Sequence, residues 1–273
     1  MTGAVAIIAG GTALPAYAIA AVHQRGRQCI VFAIKGMADH PAIEREKHFW
    51  VRVGEGGKIE SLCKEHGVTD IAVVGKFRRP SLAQMMPDAR TARFLARVAM
   101  RSLGDDGLMR AILKEAEASG FRILGQDELL ADLLAPEGVI GKHAPLADDE
   151  EDFVRGFELC RGIGRLDIGQ CIVVQDGNVL AVEAADGTDA TVDRAGRLRP
   201  EGRGGVLVKL RKPQQERRID LPVLGVATVE HVGRAGLAGI VIEAGATLIV
   251  DRDAVAAAAD RLGLFVQARR IDA

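Results

Sequence analysis

The segment VLVKLRKPQQERRIDLPVLG, residues 206–225, gathers Lys209, Arg211, Lys212, Arg217 and Arg218 ahead of Asp220. In a chain of net charge -1, such a cluster offers a site for an anion such as a diphosphate. Alternation puts Lys209 and Arg211 on one face of an extended chain, and Pro213 ends the run after Lys212. A phosphate site has no electrostatic reason to include Asp220, so that carboxylate suggests a metal ligand or a base for water. A salt-bridged edge strand would account for the same residues.

A second group of acids lies in VEAADGTDATVD, where Glu183, Asp186 and Asp189 surround Gly187 and Thr188. Carboxylates on one loop suit Mg²⁺, which takes oxygen ligands and keeps waters and phosphate oxygens in its shell. A capped helix, with Thr188 or Asp186 as N-cap and Asp189 in the first turn, is the alternative. Lys76, Arg78 and Arg79 follow the apolar run IAVV, at the carboxyl edge where open α/β sheets bind ligands. Asp105 and Asp106 read as capping residues at a helix start. The histidines show no zinc spacing, and no nucleophile elbow or Walker A loop occurs.

These groups need a scaffold, and AIIAGGTALP, residues 6–15, announces one. It reads as a strand entering a helix through Gly10, Gly11 and Thr12, with Pro15 in the first helical turn. A dinucleotide fingerprint would add a third glycine and an acid closing the next strand. Here Leu14 and Pro15 stand near the glycine position, and CIVFAIKG ends in Ala33, Ile34 and Lys35. The loop keeps only the part that suits any anion, or it is a tight turn with no ligand.

Strands are expected at 5–9, 29–33, 48–53, 71–74 and 121–124, with helices near 13–25, 56–66, 88–101 and 105–119. That alternation predicts a Rossmann-like parallel sheet over 1–134. APEGVIGKHAPLADDEED then breaks the pattern, so 135–147 reads as a linker and Asp148 to Asp152 as acids facing a helix N-terminus. A second α/β domain is expected over 148–273. It contains a helix near 150–163 and a hairpin turning at Asp176-Gly177.

Composition narrows the functions. The near-neutral charge argues against nucleic acid as main partner. Aromatics at 4% leave little for base stacking. Cys29, Cys63, Cys160 and Cys171 sit mostly in apolar runs without a Cys-x-x-Cys pair, as buried thiols of a reducing compartment would. With no signal-peptide pattern and no apolar stretch near the ~20 residues that span a bilayer, a cytoplasmic location is expected, with attachment to a membrane surface left open.

IAGGTALP, VGKFRRP, GDDGLMR, GRLDIGQCIVVQDGNVLAVEAADGTD, LVKLRKPQQERRIDLPVLG and AGLAGIVIEAGATLIVDRD together resemble the UDP-2,3-diacylglucosamine pyrophosphatase family of lipid A biosynthesis, the LpxI type. The resemblance runs almost from end to end. It implies Mg²⁺-dependent hydrolysis of UDP-2,3-diacylglucosamine to UMP and 2,3-diacylglucosamine 1-phosphate, with attack on the sugar-side phosphorus. It also implies two domains with the site between them. Substrate contacts are expected from Gly10, Gly11, Thr12, Lys76, Gln170, Thr188, Lys209, Lys212 and Gln215; Asp220 is the expected catalytic residue, and Asp220, Glu183 and Asp189 the expected metal ligands. The family loop usually has a third glycine where this chain has Thr12, and a glutamate where it has Asp186.

The inner-membrane surface is the expected partner besides the substrate, a homodimer is left open, and an apolar groove for two acyl chains is expected in the second domain. An NADP-dependent oxidoreductase and a non-catalytic UDP-sugar sensor stay open as other functions.

Overall fold

The computed structural model describes residues 3–77, 86–98, 105–216 and 218–271. Arg78, Arg79 and Arg217, and the side chains of Asp105 and Asp106, lie outside the described residues. The chain forms two compact units: Met1–Ala131 with Glu216–Asp220, and Asp132–Gln215 with Leu221–Ala273. The short segment 216–220, embedded in the second half of the sequence, thus belongs to the first unit.

The first unit is built on β1 (Ala4–Ala9), β2 (Cys29–Ile34), β3 (Lys47–Val51), β4 (Val68–Val74) and β5 (Arg122–Ile123). Their order is β3-β2-β1-β4-β5, all parallel. This is the Rossmann order around a central β1, with its switch point between β1 and β4. Strands buried on both faces read as continuous apolar runs, as AVAIIA and CIVFAI do. Helices α1 (Leu14–Gln24), α2 (Gly56–Glu65), α3 (Ala89–Val98), α4 (Asp105–Ala118) and α5 (Gln126–Leu129) accompany the sheet. On α1 the buried residues Leu14, Ala18, Ile19 and Val22 follow the helical repeat, so that face is the buried one.

The second unit has strands β6 (Gly138–Val139), β7 (Cys171–Gln175), β8 (Asn178–Val182), β9 (Val206–Lys209), β11 (Gly239–Glu243) and β13 (Phe265–Arg269), ordered β6-β13-β11-β9-β7-β8. The β13-β11-β9 centre is parallel; β6, β7 and β8 add antiparallel pairs. A separate parallel pair joins β10 (Val223–Leu224) to β12 (Leu248–Ile249). Apolar clusters cover both faces of the large sheet, one around Leu207 and Ile240, the other around Val208 and Phe265. Helices α6 (Ala147–Arg165), α7 (Thr188–Leu198), α8 (Val226–Arg234) and α9 (Arg252–Leu262) complete the unit.

Two expectations change here. Residues 135–147 do not form a bare linker, because β6 pairs with β13 and ties them into the sheet. The acids of 148–152 also do more than face a helix terminus. Asp149 accepts from Leu146 N and pairs with Arg203, and Asp152 accepts from the Asp176 and Gly177 amides at 3.1 and 2.8 Å, pinning the hairpin turn.

Candidate functional site

Lys209 is the last residue of β9, and β9 lies between β11 and β7, so the segment is no edge strand. The Lys209 side chain is buried. Its Nζ donates to Thr188 Oγ1 and to Val223 O, both at 3.1 Å. Thr188 opens α7, and its hydroxyl donates to Glu183 Oε1 at 2.7 Å. Glu183 follows β8 and is 6% exposed; its other oxygen accepts from Gln170 N at 2.7 Å. A buried cation and a buried carboxylate are therefore joined through a hydroxyl, each with partners that offset its desolvation.

Leu210 N donates to Gln170 O at 2.9 Å, which sets Gln170 opposite the chain between Lys209 and Arg211. Two buried polar atoms here, Gln170 Oε1 and Arg211 Nε, have no hydrogen-bond partner. Native structures leave few such atoms, and each calls for a polar partner such as a water, an ion or a ligand. Arg211 N donates to Glu243 Oε2 at 3.2 Å, so the acid closing β11 borders the cluster. Beyond it, Lys212 Nζ reaches Asp167 at 2.7 Å and Lys212 N donates to the buried Gln215 at 3.0 Å. Of the expected contacts, Gln170, Thr188, Lys209, Lys212 and Gln215 thus share one end of the second unit's sheet. Glu243 was not singled out from sequence, although an acid closing the apolar run GIVIE was a readable signal.

The acidic loop does not gather its carboxylates. Glu183 turns inward, Asp186 pairs with Arg194, and Asp189 faces Thr228 at 3.4 Å and His231 at 3.9 Å on α8. Glu183 thus turns to Gln170 and Thr188 while Asp189 turns to α8, so the two carboxylates have different neighbours. Neither Thr188 nor Asp186 caps α7; Gly187 is the N-cap residue and has a φ of 83°. Among the described residues no group of three or more His, Cys, Asp or Glu side chains is placed to hold a metal ion. Asp220 is exposed.

Segment 216–220 is held within the first unit by Gln126. Its Nε2 donates to Val73 O at 2.9 Å and Ile219 O at 2.6 Å, and its backbone N donates to Arg218 O at 2.8 Å. Arg218 pairs with Glu216 at 2.9 Å and Glu117 at 2.6 Å, and the Arg218 guanidinium holds the Glu216 carboxyl below the usual carboxylate range. No motif marks Gln126 in the sequence.

In the loop after β1, Gly10 N donates to Val74 O at 2.9 Å, Gly11 N donates to Lys76 O at 3.0 Å, and Lys76 N returns to Gly11 O at 2.8 Å. The expectation that the Gly10 and Gly11 amides cradle an anion is thus corrected: they clasp the loop after β4. A Cβ on Gly10 would lie 2.6 Å from Lys76 O, so glycine is required for this close approach. Thr12, next in line, has a φ of 89°, and the side chains of Thr12 and Lys76 are exposed.

The cysteines Cys29, Cys63, Cys160 and Cys171 are all buried. Burial pushes the Cys160 thiol up to about 12, which keeps it out of nucleophilic chemistry. A cavity of about 320 Å³ in the first unit is lined by the sheet residues Ile8, Ile34 and Val73 and by helix residues including Phe94, Met109 and Ile112. No described helix is long and apolar enough to cross a membrane.

A parallel Rossmann-type unit and a second α/β unit carrying a charged polar cluster at the carboxyl end of a central strand define a two-unit α/β protein. The LpxI N-terminal domain matches residues 4–133, and the LpxI C-terminal domain matches residues 136–267. A Caulobacter vibrioides protein named UDP-2,3-diacylglucosamine pyrophosphatase LpxI is 45% identical over 268 residues, covering 95% of each chain. The chain belongs to the LpxI family. A solved structure of UDP-glucose-4-epimerase from Stenotrophomonas maltophila, with bound NAD and formylated UDP-arabinopyranose, is similar at 13% identity and a TM-score of 0.31, over 99% of this chain and 94% of that one. Nothing about this chain follows from a likeness of that size.

Proposed function

We propose that this protein hydrolyses the diphosphate of UDP-2,3-diacylglucosamine, giving UMP and 2,3-diacylglucosamine 1-phosphate, a step of lipid A biosynthesis. The observation that carries the reading is the 45% identity, over 95% of both chains, to a protein named for that activity. The polar cluster of the second unit supports it, since Lys209, Arg211 and Lys212 supply the cationic donors a diphosphate needs.

In this reading Lys209 and Lys212 hold phosphate oxygens, and Gln170, Thr188 and Gln215 fix their orientation. Thr12 and Lys76 contribute from the loops at the carboxyl ends of β1 and β4. Asp220 orients the attacking water or ligates Mg²⁺. The ion would shield the diphosphate and stabilise charge developing on the leaving phosphate. Water adds to the sugar-side phosphorus, the bond from that phosphorus to the bridging oxygen breaks, and the protons of the water pass to solvent. A cytoplasmic location at the inner-membrane surface is part of the proposal, since the lipid substrate and product belong there.

The test is incubation of the pure protein with UDP-2,3-diacylglucosamine and MgCl₂, products separated by mass. Both products should form, and excess EDTA should stop their formation. Bound but uncleaved substrate would instead make the protein a UDP-sugar sensor, and full activity in EDTA would remove the metal from the proposal.

A further inference from the structure

We infer that Gln126 is the positioning residue for Asp220, fixing where that carboxylate stands relative to the loop after β4; the inference rests on the reading of Asp220 as the residue that orients water or ligates Mg²⁺. The neighbours of the Asp220 segment in the chain, Gln215 and Leu221, belong to the second unit, whereas Glu216–Asp220 belongs to the first. The segment thus enters the first unit with no covalent continuity to any element there. Its place is set by packing and hydrogen bonds.

The Ile219 side chain is 5% exposed and joins the apolar cluster that includes Ile71 and Ile123. Gln126, the first residue of α5, holds the backbone on either side of that anchor. Its N donates to Arg218 O at 2.8 Å, and its Nε2 donates to Ile219 O at 2.6 Å. Ile219 O belongs to the planar peptide unit that leads into Asp220, so the bond restrains the plane from which the Asp220 Cα departs. Asp220 N closes the turn by donating to Glu216 O at 3.2 Å.

A further bond of the same amide decides what the segment is positioned against. Gln126 Nε2 also donates to Val73 O in β4, at 2.9 Å. The next carbonyl, Val74 O, accepts from Gly10 N, and Lys76 is clasped to Gly11. One buried amide, on a residue 2% exposed, therefore ties the Asp220 backbone to the strand end that carries Lys76 and meets the loop after β1. Its two protons match two carbonyl acceptors, each of which needs a donor once buried. Such a bond supplies precision, and a misplacement of about 1 Å costs a reaction about 10²-fold. Lys209 and Lys212 belong to the second unit, so their hold on substrate does not depend on this anchor.

The experiment is a double-mutant cycle on the full chain, with the parent, Gln126→Leu, Asp220→Ala and the double variant each measured for kcat and KM with UDP-2,3-diacylglucosamine and for circular dichroism. Gln126→Leu should keep the parent's circular dichroism, lower kcat about tenfold or more and leave KM within about twofold. In the Asp220→Ala background the same change should lower the residual kcat by less than about twofold, because the group being positioned is gone. Gln126→Asn, which keeps a shorter amide, should fall between parent and Gln126→Leu. Equal losses in both backgrounds, or a raised KM with kcat unchanged, would overturn the inference and make Gln126 a residue of general stability. If Gln126→Leu does not fold, Gln126→Asn carries the same cycle, and failure of both to fold also overturns it. Normal turnover by Asp220→Ala alone would remove the reading of Asp220, and a parent that releases no UMP would remove the hydrolase; both results are read without any change at Gln126.

Discussion

Lys209 Nζ and Glu183 Oε1 are joined through a single hydroxyl, that of Thr188, which accepts from the ammonium at 3.1 Å and donates to the carboxylate at 2.7 Å. The link makes the position of the cation depend on two elements, the end of β9 and the start of α7. A substrate oxygen that reaches Lys209 therefore meets a donor already oriented, at no further ordering cost.

Lys209→Ala should weaken binding of the UDP-sugar at least tenfold, measured by titration calorimetry at low salt. It should also lower stability by about 2 kcal/mol, because Thr188 and Val223 O lose a buried donor. Rising salt should weaken the parent's affinity more than the variant's. Equal affinity in parent and variant would reduce Lys209 to a structural residue.

Asp220→Ala should cut kcat by about 10²-fold or more, the lower scale for a positioned base or metal ligand. Gln126 holds the backbone of the segment through Ile219 O and Arg218 O, so the variant should fold, which circular dichroism checks. Normal turnover with a lowered melting temperature would remove it from the proposed mechanism.

Thr12 has a φ of 89°, where a β-branched residue is strained and glycine is not. Thr12→Gly should raise stability by about 1 kcal/mol in a urea melt. A fall in stability would mean that the weak 3.4 Å contact of Thr12 Oγ1 with Leu14 N matters more than the backbone strain.

Asp70, at the start of β4, is 1% exposed and bonds to Arg27, Thr69 and Arg122. Burial works to raise its pKa, but those three partners outweigh it and hold the carboxyl below the usual range. A depressed folded pKa stabilises the protein above the unfolded value of about 3.9, and that contribution is lost as pH falls through the folded value. Asp70→Asn should cost about 3 kcal/mol at pH 7, and the gap from the parent should narrow below about pH 4. A gap that stays constant down to pH 2 would contradict this.

Much of the scaffold was readable because periodicity reports burial. Runs such as CIVFAI are apolar on both faces only in a covered parallel sheet, and Asp176-Gly177 marks a turn with φ of 51° and 73°. Of the cations read from sequence as one cluster, Lys209, Arg211 and Lys212 stay together in the second unit, whereas Arg218 belongs with Asp220 to the first. Contacts across elements were not legible. Nothing local tells that the Gly10 and Gly11 amides face β4, that Glu183 turns inward to Gln170 and Thr188, or that Gln126 holds Ile219 from 93 positions away. Each depends on strand order and register.

The most direct measurement is a single turnover of UDP-2,3-diacylglucosamine in ¹⁸O-labelled water with MgCl₂, both products weighed by mass spectrometry. The account predicts complete conversion, with one ¹⁸O in 2,3-diacylglucosamine 1-phosphate and none in UMP. Substrate recovered intact would contradict the hydrolase itself, and label in UMP would contradict attack at the sugar-side phosphorus.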